Sequence, residues 1–275
     1  MKCNLCGVDA SKEMYERNGY NIVKCSKCSL VYVNNQPTMK ELKDLYSDYI
    51  FIRGDKYNNT ILNDRLKLDH VLKYIQDGSL LDVGAATGNF MYTAIETFNV
   101  DGVELSQKGV DIGKEHGLNI VCGDVTDINY DAYNVVTMWD VIEHLKDPNK
   151  TIQYINKLLT KDGFLFITTG NVESSVAGVT GKHWYLMTPP AHLFYFSEET
   201  ITKLLEQNNF KVLDIKYIGK QMELRWILFK IADTFNNKVL FKLYEYMRNT
   251  WMGKLRFNIN FYDIMTITAQ KASRE

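Results

Sequence analysis

The stretch that most constrains this chain is Leu80-Leu81-Asp82-Val83-Gly84-Ala85-Ala86-Thr87-Gly88-Asn89-Phe90, an apolar run that breaks into a turn of small residues and then enters a helix. A strand that passes into a helix through small residues lets a ligand approach the backbone closely, and the first helical N–H groups point toward it. Such turns also serve simple packing, so the residues at the ends of the later strands decide the reading. Val100-Asp101-Gly102-Val103-Glu104 reads as a second strand ending in an acid, where a carboxylate can accept hydrogen bonds from both hydroxyls of a ribose. A third strand at 119–122 is followed by Gly123-Asp124-Val125, and a fourth at 134–138 by Trp139-Asp140. Strands alternating with helices predict a parallel sheet, whose ligands bind at the carboxyl ends of the strands. Asp82, Glu104, Asp124 and Trp139 all fall at or near such ends. Any one of them is an ordinary cap or turn former; four at successive strand ends point to a single ligand.

The loop Asp82-x-Gly84-x-Ala86-x-Gly88, with Glu104 and Asp124 behind it, resembles that of the class I S-adenosylmethionine-dependent methyltransferases, whose first loop reads acidic-x-Gly-x-Gly-x-Gly. Alanine stands here at the middle glycine. The resemblance covers roughly residues 79–218 plus the last strand. It implies an α/β fold with a Rossmann-like seven-stranded sheet and S-adenosylmethionine as cofactor. It also implies a cofactor site made of Asp82, Gly84, Ala85, Gly88, Glu104, Leu105, Asp124, Val125 and Trp139. In that site Gly84 and Gly88 approach the methionine end, Glu104 holds the ribose, Asp124 meets the adenine amino group and Val125 lies against the ring. A dinucleotide dehydrogenase shares the opening pattern, but its Gly-x-Gly-x-x-Gly triple is missing. The segment Val135 to Leu145, through its Glu143-His144 pair, resembles the fourth-strand region of small-molecule O-methyltransferases of the ubiquinone-biosynthesis type. Residues 263–271 alternate as a strand and resemble the last, antiparallel strand of these enzymes, with 210–218 as its partner.

Four of the five cysteines fall in two pairs, Cys3-x-x-Cys6 and Cys25-x-x-Cys28. Two intervening residues let both thiolates of a knuckle face one ion, and two knuckles complete a tetrahedral zinc site. Disulfides are the rival, disfavoured in a reducing compartment. Because cysteine fills all four positions, the zinc is expected to be structural. Gly7 and Asn18-Gly19 fit the turns, and 20–24 reads as a short strand. Cys122, in an apolar run, is expected to be a small buried hydrophobe.

The expected organisation is a ribbon at 1–36, a helical connector at 37–78 and a methyltransferase domain at 79–275 that carries a helical insertion at 219–257. In the connector, 39–49 and 62–75 show helical spacing. The chain has 275 residues, 45% of them hydrophobic, enough for a proper core, and its net charge of −1 gives no general attraction to nucleic acid. Met1-Lys2-Cys3-Asn4 opens without an apolar signal-type stretch and no apolar run is bilayer-length, so a cytoplasmic protein without a transmembrane segment is expected.

Methyl transfer to a hydroxyl needs a base, and an imidazole titrates near neutrality. His144 and His192 are the candidates. Capping of the next helix is the rival role for His144, and metal-assisted deprotonation at Glu143-His144 is the fallback. Residues 182–194, with their aromatics and Pro189-Pro190, are expected to form a rigid pocket wall. Thr188-Pro189-Pro190 superficially resembles the Asn/Asp-Pro-Pro-Tyr motif of base N-methyltransferases, but it comes after the fifth strand rather than the fourth. No Pro-Cys pair is present for cytosine C5 chemistry. The expected acceptor is a small-molecule hydroxyl on a sugar, nucleotide-linked sugar or secondary metabolite. An RNA methyltransferase and a non-catalytic binding module are the alternatives, the first set against a ribbon that is only weakly basic.

The insertion carries Leu224, Ile227, Leu228, Ile231 and Phe235 on one helical face and Leu240, Leu243, Tyr244, Met247 and Trp251 on another. These faces are expected to pack together and onto the sheet. Its eight cations (Lys220, Arg225, Lys230, Lys238, Lys242, Arg248, Lys254 and Arg256) against three acids give a net +5. A basic cap suits an anionic acceptor, to be gripped by Arg225, Arg248 and Arg256. A plain capping hairpin, a dimer contact and a membrane contact are the other readings.

Overall fold

Asn18 and Gly19 set the first element, because φ values of 54° and 77° at successive residues make the tight turn that suits a twisted hairpin. The turn joins β1 (Ser11–Arg17) to β2 (Tyr20–Cys25), and β3 (Val31–Val33) pairs antiparallel with β2. The computed structural model describes residues 1–42, 44–45, 60–127, 132–234 and 236–272. The connector helix expected at 39–49 is seen as helical residues 39–42 and 44–45, its end lying outside the described residues. The second connector helix is α1 (Thr60–Val71).

The main sheet and its helices come next: β4 (Ser79–Val83), α2 (Asn89–Ala94), β5 (Asn99–Glu104), α3 (Gln107–Glu115), β6 (Asn119–Cys122), β7 (Tyr133–Trp139), α4 (Pro148–Leu158) and β8 (Leu159–Gly170). After α5 (Ser175–Thr180) and β9 (Phe194–Tyr195) come α6 (Glu198–Glu206) and β10 (Phe210–Lys216). The cap comprises β11 (Lys220–Glu223), α7 (Leu224–Thr234), α8 (Lys238–Met247) and β12 (Arg256–Ile259); β13 (Ile264–Lys271) closes the order. The seven strands run β10-β13-β8-β7-β4-β5-β6. β13 is antiparallel to both neighbours, while β8, β7, β4, β5 and β6 are mutually parallel. This is the Rossmann-like methyltransferase sheet expected from the sequence. The order reverses at β4, which lies between β5 and β7, and that reversal opens the crevice where such sheets bind ligands.

The N-terminal strands do not stand apart. β3 pairs antiparallel with β9, so one four-stranded sheet, β1-β2-β3-β9, ties the cysteine segment to the chain beyond β8. Cys3, Leu5, Cys25 and Cys28 belong to the same buried cluster as Leu81, Val136 and Ile167 of the main sheet. Residues 182–194, expected to form a pocket wall, do not line the main cavity; Trp184 to Met187 pack instead against the second sheet. Trp184 and Met187 pack with Ile22, Val31 and Val33, and Asn18 Nδ2 donates to the Pro189 carbonyl at 3.1 Å. Burying a large indole against the hairpin removes more apolar area from water than a wet cavity wall allows.

The cap is closed at its base by the β11–β12 ladder. Its helices meet through rings: Phe229 lies 6.0 Å from Phe241 and 5.3 Å from Tyr244. The expected faces are therefore corrected. Leu243 and Trp251 are exposed, as is Ile231, because the aromatic rings of Trp226, Phe229, Phe241 and Tyr244 offer the larger contact and rotate the helices onto themselves. Phe235 lies outside the described residues. Cys122 is also corrected: it sits at the end of edge strand β6 and is exposed. Among the described residues no helix is long and apolar enough to cross a membrane.

Candidate active site

A cavity of about 700 Å³ lies at the carboxyl ends of β4, β5 and β7, within the size range of small-molecule sites. Its floor is the first loop. Gly84 and Gly88 adopt φ of 73° and 82°, and a Cβ on them would come within 2.5 Å of Val141 Cγ2 and 2.2 Å of Leu118 Cδ1. These two glycines are thus fixed by the chain's own packing as well as by backbone conformation. Ala86, at the family's middle glycine, keeps a φ of 51°, at a cost of about 1–2 kcal/mol for a residue with a Cβ. Glu104 holds it there. Oε2 accepts from Ala86 N at 2.9 Å and Oε1 from Ser106 N at 2.8 Å, while burial raises the carboxyl's pKa. A carboxylate has about four acceptor positions, so this bracing leaves capacity for a ligand.

Asp82, Gly84, Ala85, Glu104, Leu105, Asp124, Val125 and Trp139 all line the cavity; Gly88 lies behind the wall, packed on Leu118. Asp124 Oδ1 accepts from the backbone and hydroxyl of Thr126 at 2.8 and 2.9 Å, which orients its carboxylate. The Trp139 ring stands edge-on to Phe90 at 5.1 Å, and its buried Nε1–H has no acceptor among the described residues. An unsatisfied buried donor on a cavity wall costs roughly 1–3 kcal/mol unless a ligand supplies the acceptor.

Burial pushes the Asp82 pKa up to about 7, against the opposing effect of the 2.6 Å hydrogen bond that its Oδ1 accepts from Thr137 Oγ1. Folding therefore favours the protonated form. That contribution to stability is present below the unfolded value of 3.8 and is lost as pH rises toward 7. Asp82→Asn should remove on the order of 4 kcal/mol of pH dependence across this interval. Denaturant unfolding of both proteins at the two ends of the interval checks it; parallel curves for wild type and variant would refute it.

The cavity wall also holds His144, whose Nδ1 donates to the Ala191 carbonyl at 2.7 Å and leaves Nε2 as the basic nitrogen. His192 is not on the cavity wall. It packs edge-on against His144 at 4.6 Å, with Nδ1 donating to the Leu186 carbonyl at 2.7 Å. Glu143, His144 and His192 each bring a ligand atom within 4.8 Å of the others, and burial, reinforced by Asp140, raises the Glu143 pKa.

Several lining residues carry no signal in the sequence. Asp140 adopts φ 57° at the end of β7, accepts from Thr168 Oγ1 at 2.9 Å and pairs with Lys220 at 3.3 Å. A left-handed aspartate is invisible in a sequence. Asn63 of α1 exchanges two hydrogen bonds with the Gln221 backbone, fastening the connector to the cap over the cavity. Lys67, Lys220 and Lys230 are cavity cations, whereas Arg225, Arg248 and Arg256 are not. Arg225 and Arg256 turn to Glu223 at 2.6 and 3.9 Å, and Arg248 to Glu245 at 3.1 Å, because acids lie within reach on the cap itself.

At the other end, Cys3 and Cys28 Sγ are 3.4 Å apart and Cys6 and Cys25 Sγ 3.6 Å apart, with all four sulfurs within 4.8 Å of one another. Four sulfurs about 2.3 Å from one ion stand roughly 3.8 Å apart, whereas a disulfide requires about 2.05 Å. The donor set and spacing fit zinc. Gly7 and Ser29, at φ 71° and 66°, return their N–H groups to the carbonyls of Cys3 and Cys25 and shape the two knuckles alike.

Residues 57–215 match the family described as Methyltransferase domain. The chain belongs to that family. The methyltransferase is 25% identical over 166 residues to the ubiquinone biosynthesis O-methyltransferase of Coxiella burnetii, covering 52% of this chain and 70% of the relative. Among solved structures it is similar to magnesium protoporphyrin IX methyltransferase from Synechocystis, solved with bound SAH (TM-score 0.57, 15% identity, 86% and 100% covered). It is also similar to a Thermotoga maritima protein described as a SAM-dependent methyltransferase and possible histamine N-methyltransferase (TM-score 0.57, 15% identity, 84% and 99% covered). At such identities the two structures share the fold of this methyltransferase.

Proposed function

We propose that this methyltransferase binds S-adenosylmethionine in the cavity and transfers its methyl group to a hydroxyl of an anionic small molecule, such as a nucleotide-linked sugar. The observation that carries the reading is the convergence on one cavity of Glu104, Asp124, Trp139 and His144. Glu104 would accept from the ribose hydroxyls, Asp124 from the adenine amino group, and Val125 would cover the ring. The cofactor supplies an electrophilic methyl group when bound. The chain's own part is to align the acceptor in line with that methyl, exclude water beneath the cap and take the hydroxyl proton at His144 Nε2. Lys67, Lys220 and Lys230 line the cavity, the first two paired with Asp64 and Asp140, and a phosphate or carboxylate of the acceptor would draw on these lysines.

We read residues 1–36 as a zinc ribbon held by Cys3, Cys6, Cys25 and Cys28, residues 37–78 as a connector, and 79–275 as the methyltransferase domain with its cap. The ribbon's cations favour a small-molecule acceptor over RNA, since Arg17 Nη1 donates to the Trp184 carbonyl at 3.2 Å and Lys24 pairs with Glu173 at 3.5 Å. Calorimetric titration with S-adenosylmethionine tests the cofactor site. Glu104→Gln and Asp124→Asn should each weaken binding by about ten-fold or more, the value of a hydrogen bond to a charged group. Unchanged affinity in both would overturn the assignment.

A further inference from the structure

The outer face of the cap is an apolar exposed surface that the catalytic reading leaves unused. On α8, Val239, Leu243 and Tyr246 recur at helical spacing and form one outward stripe, with exposures of 74%, 41% and 72%. Trp251, just past the helix, is 73% exposed. Lys238 and Lys242 border the stripe, and both are exposed. The helix's other side, through Phe241 and Tyr244, is already spent on the rings of α7. An apolar ridge edged by lysines, with tryptophan and tyrosine at its margins, has the chemistry of a helix lying in the headgroup layer of a bilayer.

We propose that this face docks on an anionic lipid bilayer. Charge complementarity selects that occupant. The cap segment is net +5 in a chain of net −1, so the remainder is acidic; Lys220 and Lys230 turn to the cavity, while Lys238, Lys242 and Lys254 are exposed outside it, so an anionic surface would draw this face in and repel the rest. A second copy of the chain is disfavoured, because a two-fold contact would set the lysine-edged stripe against itself. A polynucleotide could use the lysines and stack on Tyr246 and Trp251, but it would leave Val239 and Leu243 of the same stripe exposed without gain, whereas a bilayer takes up all four. Docking is coupled to the cavity by construction: α7 carries Trp226 and Lys230 into the cavity wall while its other rings hold α8.

The test is vesicle co-sedimentation of the full chain, without cofactor or acceptor, so that its outcome is independent of the methyl-transfer reading. Vesicles of equal parts phosphatidylcholine and phosphatidylglycerol should bind the protein, and pure phosphatidylcholine should not; binding should weaken with added salt. Lys238→Gln with Lys242→Gln should reduce partition about twenty-five-fold, at roughly five-fold per cation. Trp251→Ala should also reduce it, and should abolish the blue shift of tryptophan fluorescence on vesicle addition. Both variants should keep the wild-type melting temperature, since the substituted side chains are exposed. No binding to anionic vesicles, binding unaffected by the variants, or variants that change only the oligomeric state or RNA retention would each overturn the proposal.

Discussion

Cys25→Ser, or removal of the ribbon metal by a strong chelator, is expected to abolish methyl transfer while leaving cofactor affinity within about two-fold. The ribbon is too short to bury a core of its own, and structural zinc in such modules supplies about 10 kcal/mol or more of apparent folding free energy. Without it, β1 to β3 lose the ion that gathers both knuckles. The consequence travels through backbone hydrogen bonds. β3 pairs with β9, Val33 N donates to the Leu193 carbonyl at 2.9 Å, and Leu193 N donates to the Glu143 carbonyl at 2.8 Å, beside His144. The Ala191 carbonyl that orients the His144 ring belongs to the same segment. Loss of the ribbon should therefore loosen the base, whereas Glu104 and Asp124 sit across the sheet on elements that do not pair with it. Elemental analysis should find one zinc per chain. Hydrogen exchange should show loss of protection at both 20–33 and 191–196 after stripping. A metal-free preparation with full turnover, or one that loses protection in the ribbon alone, would contradict the argument.

The main sheet was legible because its signals are local. Each strand of β4 to β7 is an apolar run ended by a small or acidic residue, and the alternation of β13 identified the antiparallel member. The cavity floor was legible for the same reason: Gly84, Glu104 and Asp124 stand at fixed offsets from strand ends. What the sequence did not disclose was set by pairing across long separations. Nothing near Val31 announces that it will pair with Tyr195, so the ribbon read as an appended module and residues 182–194 as a pocket wall. The cap failed in a different way. Two helical faces of similar apolarity were available on α8, and the choice between them was made by the size of the rings on α7, not by periodicity. The arginine assignment failed because a count of charges does not see that Glu223 lies within reach of both Arg225 and Arg256.

His144→Ala should lower kcat by 10²–10⁴-fold, the usual contribution of a positioned general base, with cofactor affinity unchanged. The expectation rests on orientation more than on proximity. A carbonyl can only accept, so the 2.7 Å contact with Ala191 fixes the proton on Nδ1 and leaves Nε2 as the nitrogen able to take a proton on a ring that lines the cavity. Wild-type rate should rise with pH as the imidazole loses its proton, and the variant should lose that acidic limb. His192 makes a different prediction. It touches the His144 ring but does not line the cavity, so His192→Ala should cost roughly ten-fold through misorientation and should keep the limb, displaced in pH rather than erased. Single-turnover rates across pH for both variants separate the two roles. If His144→Ala keeps full turnover at saturating acceptor, the imidazole is not the base. The cluster of Glu143, His144 and His192, whose ligand atoms lie within 4.8 Å of one another, then becomes a candidate for metal-assisted deprotonation. Chelator sensitivity that persists after the ribbon cysteines are shown to retain their zinc would distinguish that case.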